Sequence, residues 1–411
     1  MKTKFYLNIK KRIHKFLICG GFLSFLTLVS CSTNSTSDSF AWDTKVNIGA
    51  DSSWTRSKDP SDKRISTFLS NLSNEFNKLK NQNPQTKNLA DVTFEFQDIS
   101  DSRTAITQLL AADNSKRSID FAFADATSTI EIDKQNRLQN ALQTTTWAFA
   151  NDLEPKSYSD GSSNDYLVKQ AQELSNLFNQ TPFNQWQNTK NGPQKWDGVA
   201  YRFLYDKNKT QVPFYRGMIM IAGDSKTLKA IKKYWNNRDF EQWVKFGIIH
   251  GKESSGGRWK LEANLIQQHF ANYFKNKQKT LSEEKIKKPQ YFLQESPQSI
   301  SIGQDQKFKI AFDDEASFAW TPNEGDDSRF TPKNPNEKIE ILTLTNPLPY
   351  DIGSFRGDFN KLQRDLISQA LINLSLNNKD TFGESIGYNG YQKISDSSIF
   401  RNMFKNSLEE N

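Results

Sequence analysis

The sequence predicts an α/β fold made of two successive series of strand–helix units. Three observations support this prediction. Segments that alternate apolar and polar residues, as half-buried strands do, recur between segments with helical spacing. Hydrophobic residues make up 36% of the chain and aromatic residues 12%, which is enough for a packed core. The length of 411 residues leaves room for two to three domains of ordinary size.

The first series of elements begins at residue 44. It comprises a short strand over 44–50, a helix over 62–80 that Ser61 is placed to cap, strands over 92–96 and 119–123, and a helix over 165–179. The stretch 180–211, which contains Pro182 and Pro193, is predicted to be a long connection.

A second series follows this connection. It comprises a strand over 214–222, a helix over 225–236, a strand over 246–249, a helix over 258–274, strands over 308–312 and 338–345, and a final helix over 359–376. Residues 275–288 are polar and basic, and they are predicted to form a solvated face or a loop.

The first thirty residues have the composition of a signal peptide. A basic stretch ends at Lys15, and the apolar run over 16–29 is too short for a comfortable membrane span. The run ends in Leu28-Val29-Ser30-Cys31, which resembles a bacterial lipobox and implies cleavage before Cys31 and diacylglyceryl modification of its thiol. We expect residues 31–41 to be a flexible tether. The alternative is an uncleaved membrane anchor, and either arrangement places the rest of the chain outside the cytoplasmic membrane.

The positive charge of the chain is concentrated in that leader. The net charge is +7, and six of these charges come from Lys and Arg among the first thirty residues. A protein that neutralises nucleic-acid phosphates keeps its basic excess in the folded part. We therefore expect no nucleic-acid partner.

Enzyme motifs give little support for catalysis. No G-x-G-x-x-G follows a predicted strand, and the glycines of Gly247–Lys252 are too close together for a phosphate-binding P-loop. The exported part has two histidines, His250 and His269, and His250 lies near Ser254 and Ser255 without a third orienting group. We expect a protein that is not an enzyme and that has neither a cofactor nor a metal site.

Four predicted strand ends lead into short polar segments of small residues. The four segments are 51–55, 125–129, 250–257 and 313–317. In open α/β sheets ligands bind beyond the carboxyl ends of the strands, where helix N-termini offer free N–H groups suited to phosphate. The alternative for each segment is helix capping alone.

Aromatic and acidic residues lie near these turns. The rings of Trp54, Tyr215 and Trp320 could sandwich a flat ligand, and a cationic ring would gain a cation–π attraction of order 1 kcal/mol. The alternative is core packing. The acidic run 313–315 could neutralise a positive ligand, bind a hard cation, or be a solvated loop.

These turns and their neighbours supply the candidate ligand-binding residues. They are Ser52, Ser53, Trp54, Asp125, Thr127, Ser128, Tyr215, Arg216, His250, Ser254, Ser255, Gly256, Asp314, Glu315, Ser317, Trp320, Asn346 and Tyr350.

Several blocks of sequence carry a resemblance to a known family. The blocks are Phe214–Ile219, Gly247–Lys252, Ala316–Thr321, Thr345–Gly353 and Gly387–Tyr391. Together they resemble the mycoplasma extracytoplasmic thiamine-binding lipoproteins, also called high-affinity transport system lipoproteins. The likeness runs from Trp42 to Ile394, and the plan is more distantly similar to the phosphonate-type periplasmic binding proteins.

The resemblance implies a two-lobed type II periplasmic-binding-protein fold with hinge crossings. Residues 42–213 plus 346–411 would form lobe 1 and residues 214–345 lobe 2, with the hinge near Val212–Pro213 and Thr345–Asn346. The resemblance also implies a monomer, lipid-anchored on the extracytoplasmic face of the cell membrane, that closes on thiamine or thiamine pyrophosphate and delivers it to an ABC permease. The ligand would be transported cargo and not a cofactor.

The sequence departs from the phosphonate-type pattern at one turn. That pattern has a fuller Ser-Thr-Ser-Gly turn, whereas Lys252-Glu253 precede Ser254-Ser255 here. Glu253 would repel a pyrophosphate if its side chain pointed inward.

Three other functions fit parts of the sequence. One is a binding protein of the same fold for another anion, such as a phosphonate or a sugar phosphate, which would need fewer aromatic residues. Another is a secreted enzyme such as a phosphatase. The third is a surface adhesin that binds host surfaces and lacks an apolar ligand cleft.

Overall fold

The computed structural model describes residues 41–51, 63–111, 118–186, 201–296, 302, 307–321 and 329–408, excluding the side chains of residues 51 and 384–386. Residues 40–411 form one compact unit. The predicted signal peptide, Cys31, most of the predicted tether, and the candidate ligand residues Ser52, Ser53 and Trp54 lie outside the described residues.

The described residues contain fourteen strands. They are β1 (Lys45–Asp51), β2 (Thr93–Ile99), β3 (Phe121–Ala124), β4 (Gln139–Trp147), β5 (Gln211–Val212), β6 (Phe214–Tyr215), β7 (Gly217–Gly223), β8 (Ile248–His250), β9 (Phe292–Gln294), β10 (Ile310–Asp314), β11 (Lys338–Leu344), β12 (Leu348–Pro349), β13 (Ile352–Phe355) and β14 (Gly390–Lys393).

The same ranges contain twelve α-helices. They are α1 (Arg64–Gln82), α2 (Ser102–Leu109), α3 (Ala126–Ile132), α4 (Tyr166–Phe178), α5 (Ser225–Asn236), α6 (Phe240–Trp243), α7 (Leu261–His269), α8 (Ala271–Lys277), α9 (Leu281–Lys287), α10 (Lys361–Leu376), α11 (Thr381–Ile386) and α12 (Ser397–Leu408).

The first sheet has the strand order β14-β4-β13-β3-β1-β2, and β5 pairs with β4. β1 is parallel to β2 and β3, whereas β13 is antiparallel to β3 and β4. Helices α1 and α10 pack together over one face, where the buried phenylalanines Phe68, Phe76 and Phe121 lie. α2 contributes Ala105 and Ile106 to a smaller core on β3. This half therefore has an apolar core of its own.

The second sheet has the strand order β11-β7-β10-β8-β9. Strand β7, GMIMIAG, is buried along its whole length because strands flank both of its edges and helices α5 and α7 pack on it. Helix α4 packs on β11, and the Ile341 N–H donates to the Ser175 hydroxyl at 2.6 Å. α4 lies within the range 42–213 that the sequence assigned to lobe 1, so the second half also contains sequence from before residue 213.

The chain passes between the two sheets four times. It leaves the first sheet after β4 to form α4 and returns to pair β5 with β4. It leaves again through β6 into β7, and it returns from β11 through β12 to β13. β6 and β12 pair antiparallel, with Tyr215 opposite Leu348, so the later two passages lie side by side.

Helix α12 lies where the two halves meet. Phe404 packs against Leu261 of α7 and Leu348 of β12. The side-chain amide of Asn264 donates to the Ser407 carbonyl oxygen at 2.7 Å. This helix was not among the elements predicted from the sequence.

The mixed α/β class is confirmed, and most predicted elements lie within a few residues of their expected positions. The predicted strand over 214–222 is divided at Arg216 into β6 and β7, and the predicted helix over 258–274 is divided into α7 and α8 at Phe270. Of the two alternatives for 275–288, a loop does not hold for α9, which Thr280 and Glu283 begin with a reciprocal capping box, and a solvated face does, because Glu283, Ile286 and Lys287 are exposed.

Within the described residues, no helix combines the length and the apolar character that crossing a membrane requires.

Candidate functional site

Two tyrosines mark the place where the later passages meet the sheets. The rings of Tyr215 and Tyr350 lie 5.1 Å apart at 38°. The Thr146 hydroxyl donates to the Tyr350 hydroxyl at 3.0 Å, whereas the Tyr215 hydroxyl has no partner among the described residues. Burial raises the pKa of both phenols above the ordinary tyrosine value, and the nearby Asp314 charge raises the pKa of Tyr215 further. Both side chains are therefore neutral at physiological pH.

The turn after β8 packs directly on Tyr215 and Asp314. A Cβ atom on Gly256 would lie 2.4 Å from the Tyr215 hydroxyl, and one on Gly257 would lie 2.1 Å from Asp314 Oδ1. Glycine at these positions therefore allows the backbone to approach both side chains. The chain continues from here as one π-helical turn, Gly256–Lys260, that leads into α7.

Several hydrogen-bond donors at this turn have no acceptor within the described part of the chain. They are the N–H groups of Gly256 and Gly257, the hydroxyls of Ser254 and Ser255, and the two terminal guanidinium nitrogens of Arg258. N–H groups at the start of a helical turn, hydroxyls and guanidinium groups together suit an anion such as phosphate.

Arg258 also holds the two carboxylates at the end of β10. Its Nε lies 3.0 Å from Asp313 Oδ1 and 3.2 Å from Asp314 Oδ2. Asp313 is fully buried, and its burial together with the Asp314 charge raises its pKa to about 7. Ser317 donates to Asp313, so this predicted ligand residue orients a carboxylate instead. Asp314 is partly accessible, which leaves it as the carboxylate of this pair that a ligand can reach.

Glu262 is a fully buried carboxyl group on α7 beside this pair. Neither of its oxygens has a hydrogen-bond partner among the described residues. Burial raises the pKa of Glu262 well above the ordinary glutamate value, and the charges of Asp314 and Asp313 raise it further. The group is therefore neutral when the protein is folded at mildly acidic pH.

We expect Glu262→Gln to stabilise the folded chain increasingly as the pH rises. The folded state holds a proton on Glu262 that the unfolded state releases above the ordinary glutamate pKa, so this residue costs stability as the pH rises. The variant cannot ionise, so its gain in free energy of unfolding over the wild type should grow from pH 5 to pH 8, by at most about 1.4 kcal/mol for each pH unit over which the unfolded glutamate is ionised and the folded one is not. Urea unfolding at both values measures the difference. Glu154→Gln, at an exposed position, serves as the control, and equal differences at the two pH values for Glu262→Gln would contradict the expectation.

A row of aromatic rings leads away from the tyrosines. Trp320, which is 38% exposed, stacks on Phe149 at 6.1 Å and 29°. Phe149 contacts Tyr205 at 4.9 Å, and Tyr205 contacts Trp147 at 6.1 Å. Tyr205 also acts electrostatically on Tyr350, so the row lies near the tyrosine pair. Tyr215 and Trp320 are the two described residues among the aromatic residues predicted to sandwich a ligand, and both are partly exposed to solvent.

Arg216 is a predicted ligand residue that the structure uses internally. Its Nε and one terminal nitrogen donate to the two oxygens of Asp152 at 2.7 and 3.1 Å. Its remaining N–H groups donate to the carbonyl oxygens of Lys156, Thr345 and Glu154 at 2.8, 3.0 and 2.8 Å. All five donors are occupied and the side chain is fully buried, so Arg216 binds the chain passages together and offers nothing to a ligand.

Two more predicted residues have internal partners. The Asn346 carboxamide accepts from the Tyr158 N–H at 2.6 Å and donates to the Asn406 carbonyl at 3.0 Å. His250 is buried, its Nδ1 lies 2.7 Å from the Gly251 carbonyl oxygen, and burial lowers its pKa.

The first half contributes the start of α3. Asp125 accepts from the Ser128 N–H at 2.7 Å as the N-terminal cap, which is the alternative that the sequence left open for this turn. Its charge acts on Tyr215, so the cap lies close to the tyrosine. Thr127 and Ser128 are buried.

Glu315 follows Asp314 in the second half and is nearly buried. Burial raises the pKa of Glu315 well above the ordinary glutamate value, and the Asp152 charge raises it further.

Arg258 and Glu262 were not among the residues predicted from the sequence to bind a ligand. The sequence contains an indication of each. Arg258 follows two glycines at a strand-to-helix turn, and Glu262 is an acidic residue between the apolar residues Leu261 and Ala263. Across the described ranges, no group of three or more His, Cys, Asp or Glu side chains has the arrangement of a metal site.

Comparison with known proteins identifies relatives along most of the chain. The family model for the extracytoplasmic thiamine-binding lipoproteins matches residues 66–407. The high affinity transport system protein p37 of Mesomycoplasma hyorhinis is 41% identical over 360 residues, which cover 86% of this chain and 86% of that protein. The p37 protein of Mycoplasma pneumoniae is 34% identical over 322 residues, which cover 74% of this chain and 79% of that protein.

A solved structure matches the fold. The Mycoplasma hyorhinis protein Mh-p37, presented as a candidate thiamine pyrophosphate transporter, superposes with a TM-score of 0.81 at 38% identity. The match covers 90% of this chain and all of that one. The two-lobed type II fold that the resemblance implied is thereby confirmed. The expectation that the protein binds and transports a ligand, and is not an enzyme, is confirmed as well.

Proposed function

We propose a function for this chain from one premise: it belongs to the extracytoplasmic thiamine-binding lipoprotein family. It is a binding protein of the p37 type, which serves an extracytoplasmic transport system. Its ligand is thiamine or thiamine pyrophosphate, held between the two lobes and released unchanged. The observation that carries the proposal is the cluster of unoccupied donors at Ser254–Arg258 beside the carboxylate of Asp314.

The two kinds of group in this cluster match the two ends of thiamine pyrophosphate. The N–H groups of Gly256 and Gly257 and the guanidinium of Arg258 would bind the pyrophosphate. Asp314 would balance the thiazolium charge, and the Tyr215 ring would stack on a flat ring of the ligand.

Glu253 does not oppose a phosphate in this arrangement. The sequence raised the concern that its charge would point into the site. Its carboxylate accepts from the Ser282 hydroxyl at 2.8 Å and pairs with Lys285 on α9. Lys285 lowers the pKa of Glu253, as a nearby cation does. The negative charge of Glu253 is therefore balanced locally, which favours the phosphorylated form of the ligand.

Closure of the lobes would exclude water and strengthen each polar contact. Lobe 1 would comprise residues 42–213 without α4, plus 346–411, and lobe 2 would comprise residues 214–345 together with α4, which packs on β11. The hinge would lie near Val212–Pro213 and Thr345–Asn346.

We also propose a membrane location and a transport partner for the protein. Cleavage before Cys31 and lipid modification of its thiol would anchor the chain, as a monomer, to the extracytoplasmic face of the cell membrane. The tether over 31–41 would let it reach an ABC permease, which would accept the ligand from the closed form.

Thermal melting with candidate ligands tests the proposal. Residues 40–411 are melted with thiamine, thiamine monophosphate, thiamine pyrophosphate and methylphosphonate. We expect thiamine or one of its phosphates at 100 times its Kd to raise stability by about 2.7 kcal/mol. A shift with methylphosphonate alone would overturn thiamine as the ligand, and no shift with any of the four would overturn the proposal as a whole.

A further inference from the structure

The helical layer of the second half has a larger net positive charge than the whole exported chain. Residues 225–291 contain fifteen Lys and Arg and six Asp and Glu, an excess of nine positive charges. The chain from Cys31 onward has a net charge of only +1, so the rest of it is net negative by eight. Of the six acids, Glu262 is buried without a partner and neutralises none of these cations, whereas the buried Glu284 pairs with Lys279 and Lys288.

The segments that carry this charge are in mutual contact. Lys277 of α8 pairs with Glu241 of α6 at 2.9 Å and lies 3.9 Å from the centre of the Tyr273 ring. Lys288 lies 5.4 Å from the same ring. At the end of α5, the Tyr234 ring packs at 6.2 Å on Phe246. These elements therefore form one contiguous layer, and we call its exposed part the basic face, defined as the exposed parts of α5, α6, α8, α9 and residues 288–291.

The basic face has lysines that no acid neutralises. Lys229, Lys233, Lys245, Lys275 and Lys287 are exposed and have no ion-pair partner among the described residues. An anionic surface can therefore approach these ammonium groups without displacing a protein carboxylate.

The basic face also has the apolar features of a surface that meets lipid headgroups. Ile286 on α9 is 75% exposed between Lys285 and Lys287. The rings of Tyr234, Tyr273 and Tyr291 are half-buried in the same layer. Tyrosine favours the boundary between water and lipid, and each lysine near an anionic leaflet contributes about 1 kcal/mol of attraction.

We propose that the basic face binds an anionic lipid surface. This interaction is independent of the ligand site, since none of the lysines involved lies at Ser254–Arg258 or Asp314. It would hold the second half of the protein against the membrane by charge and would weaken as salt rises.

Vesicle flotation tests the proposal. Residues 40–411, which lack the lipid anchor, are mixed with two kinds of vesicle. One contains phosphatidylcholine alone, and the other also contains about 30% phosphatidylglycerol, which gives the vesicle the surface potential of an anionic leaflet. We expect flotation with the anionic vesicles only, and its loss when NaCl is raised from roughly 0.05 M to 0.5 M, where screening shortens the reach of surface charges. Absence of binding to the anionic vesicles at low salt would overturn the proposal.

A matched pair of variants locates the surface. Lys233→Gln, Lys245→Gln, Lys275→Gln and Lys287→Gln are combined in one protein. The control combines Lys87→Gln, Lys361→Gln, Lys379→Gln and Lys405→Gln, which are exposed lysines elsewhere, so both proteins lose the same charge. We expect the partition coefficient to fall at least about tenfold more in the first protein than in the control.

Two outcomes would contradict the location or the partner. Equal losses in the two variants would mean that net charge, and not the basic face, causes binding. Tight binding of a single-stranded oligonucleotide at physiological salt, without vesicle binding, would replace the lipid surface with a nucleic acid. Melting temperatures of both variants with thiamine pyrophosphate show whether they remain folded and competent at the ligand site.

Discussion

Replacing Arg216 with methionine should lower the free energy of unfolding by about 3–5 kcal/mol, the range measured when one partner of a buried ion pair is removed. The substitution would leave Asp152 buried with only Tyr166, whose hydroxyl lies 3.2 Å away, as a side-chain partner. It would also remove the donors from the carbonyl oxygens of Lys156 and Thr345. Urea unfolding of residues 40–411 measures the loss.

The control is an arginine of the same kind at the surface. Arg103 pairs with Glu131 at 3.2 Å but is 63% exposed, so Arg103→Met should cost less than about 1 kcal/mol. Adding Asp152→Leu to Arg216→Met should recover part of the loss, because no buried charge then lacks a partner. A loss for Arg216→Met no larger than that for Arg103→Met would contradict the assigned role.

Substituting Gly257 by alanine should weaken ligand binding about 10–100-fold, as expected when a hydrogen bond to a charged group is lost. The new Cβ atom would lie 2.1 Å from Asp314 Oδ1, so the carboxylate must turn away from Arg258. That movement disturbs the proposed cation and anion contacts together. Titration calorimetry with thiamine pyrophosphate, or with whichever thiamine compound raises the melting temperature most, measures the change.

Another glycine separates this effect from a general loss of stability. Gly387 has φ +98° and open space around its missing Cβ, so Gly387→Ala introduces backbone strain without displacing a neighbour. We expect it to lower the melting temperature while leaving the affinity unchanged. An unchanged affinity in Gly257→Ala would mean that the ligand does not contact this turn.

Local pattern was sufficient for the long amphipathic elements. The apolar spacing of α1, α5 and α10 is visible in the sequence, and each of these helices lies within two residues of its predicted limits. Strand β4 was missed because its centre, QTTT, is polar. Thr144 and Thr145 are buried since β13 and β14 flank the strand, and no local signal indicates those neighbours.

The residue types of the site were predictable from the sequence. Which of these residues face a ligand and which have internal partners was not. Tyr215 and Asp314 were predicted to contact a ligand, and the structure brings them to one turn. Arg216 is adjacent to Tyr215, yet its partner Asp152 lies 64 residues earlier in the chain. Only the fold distinguishes the arginine that binds the passages together from Arg258, which has free nitrogens at the turn.

The four passages between the sheets bear on how the molecule can be divided. Because each half is assembled from separated stretches of sequence, neither corresponds to a continuous portion of the coding region. A single proteolytic cut in one passage would leave three covalent ties intact. The halves therefore cannot be released as independent bodies, and a truncation that removes one of them also removes strands from the other.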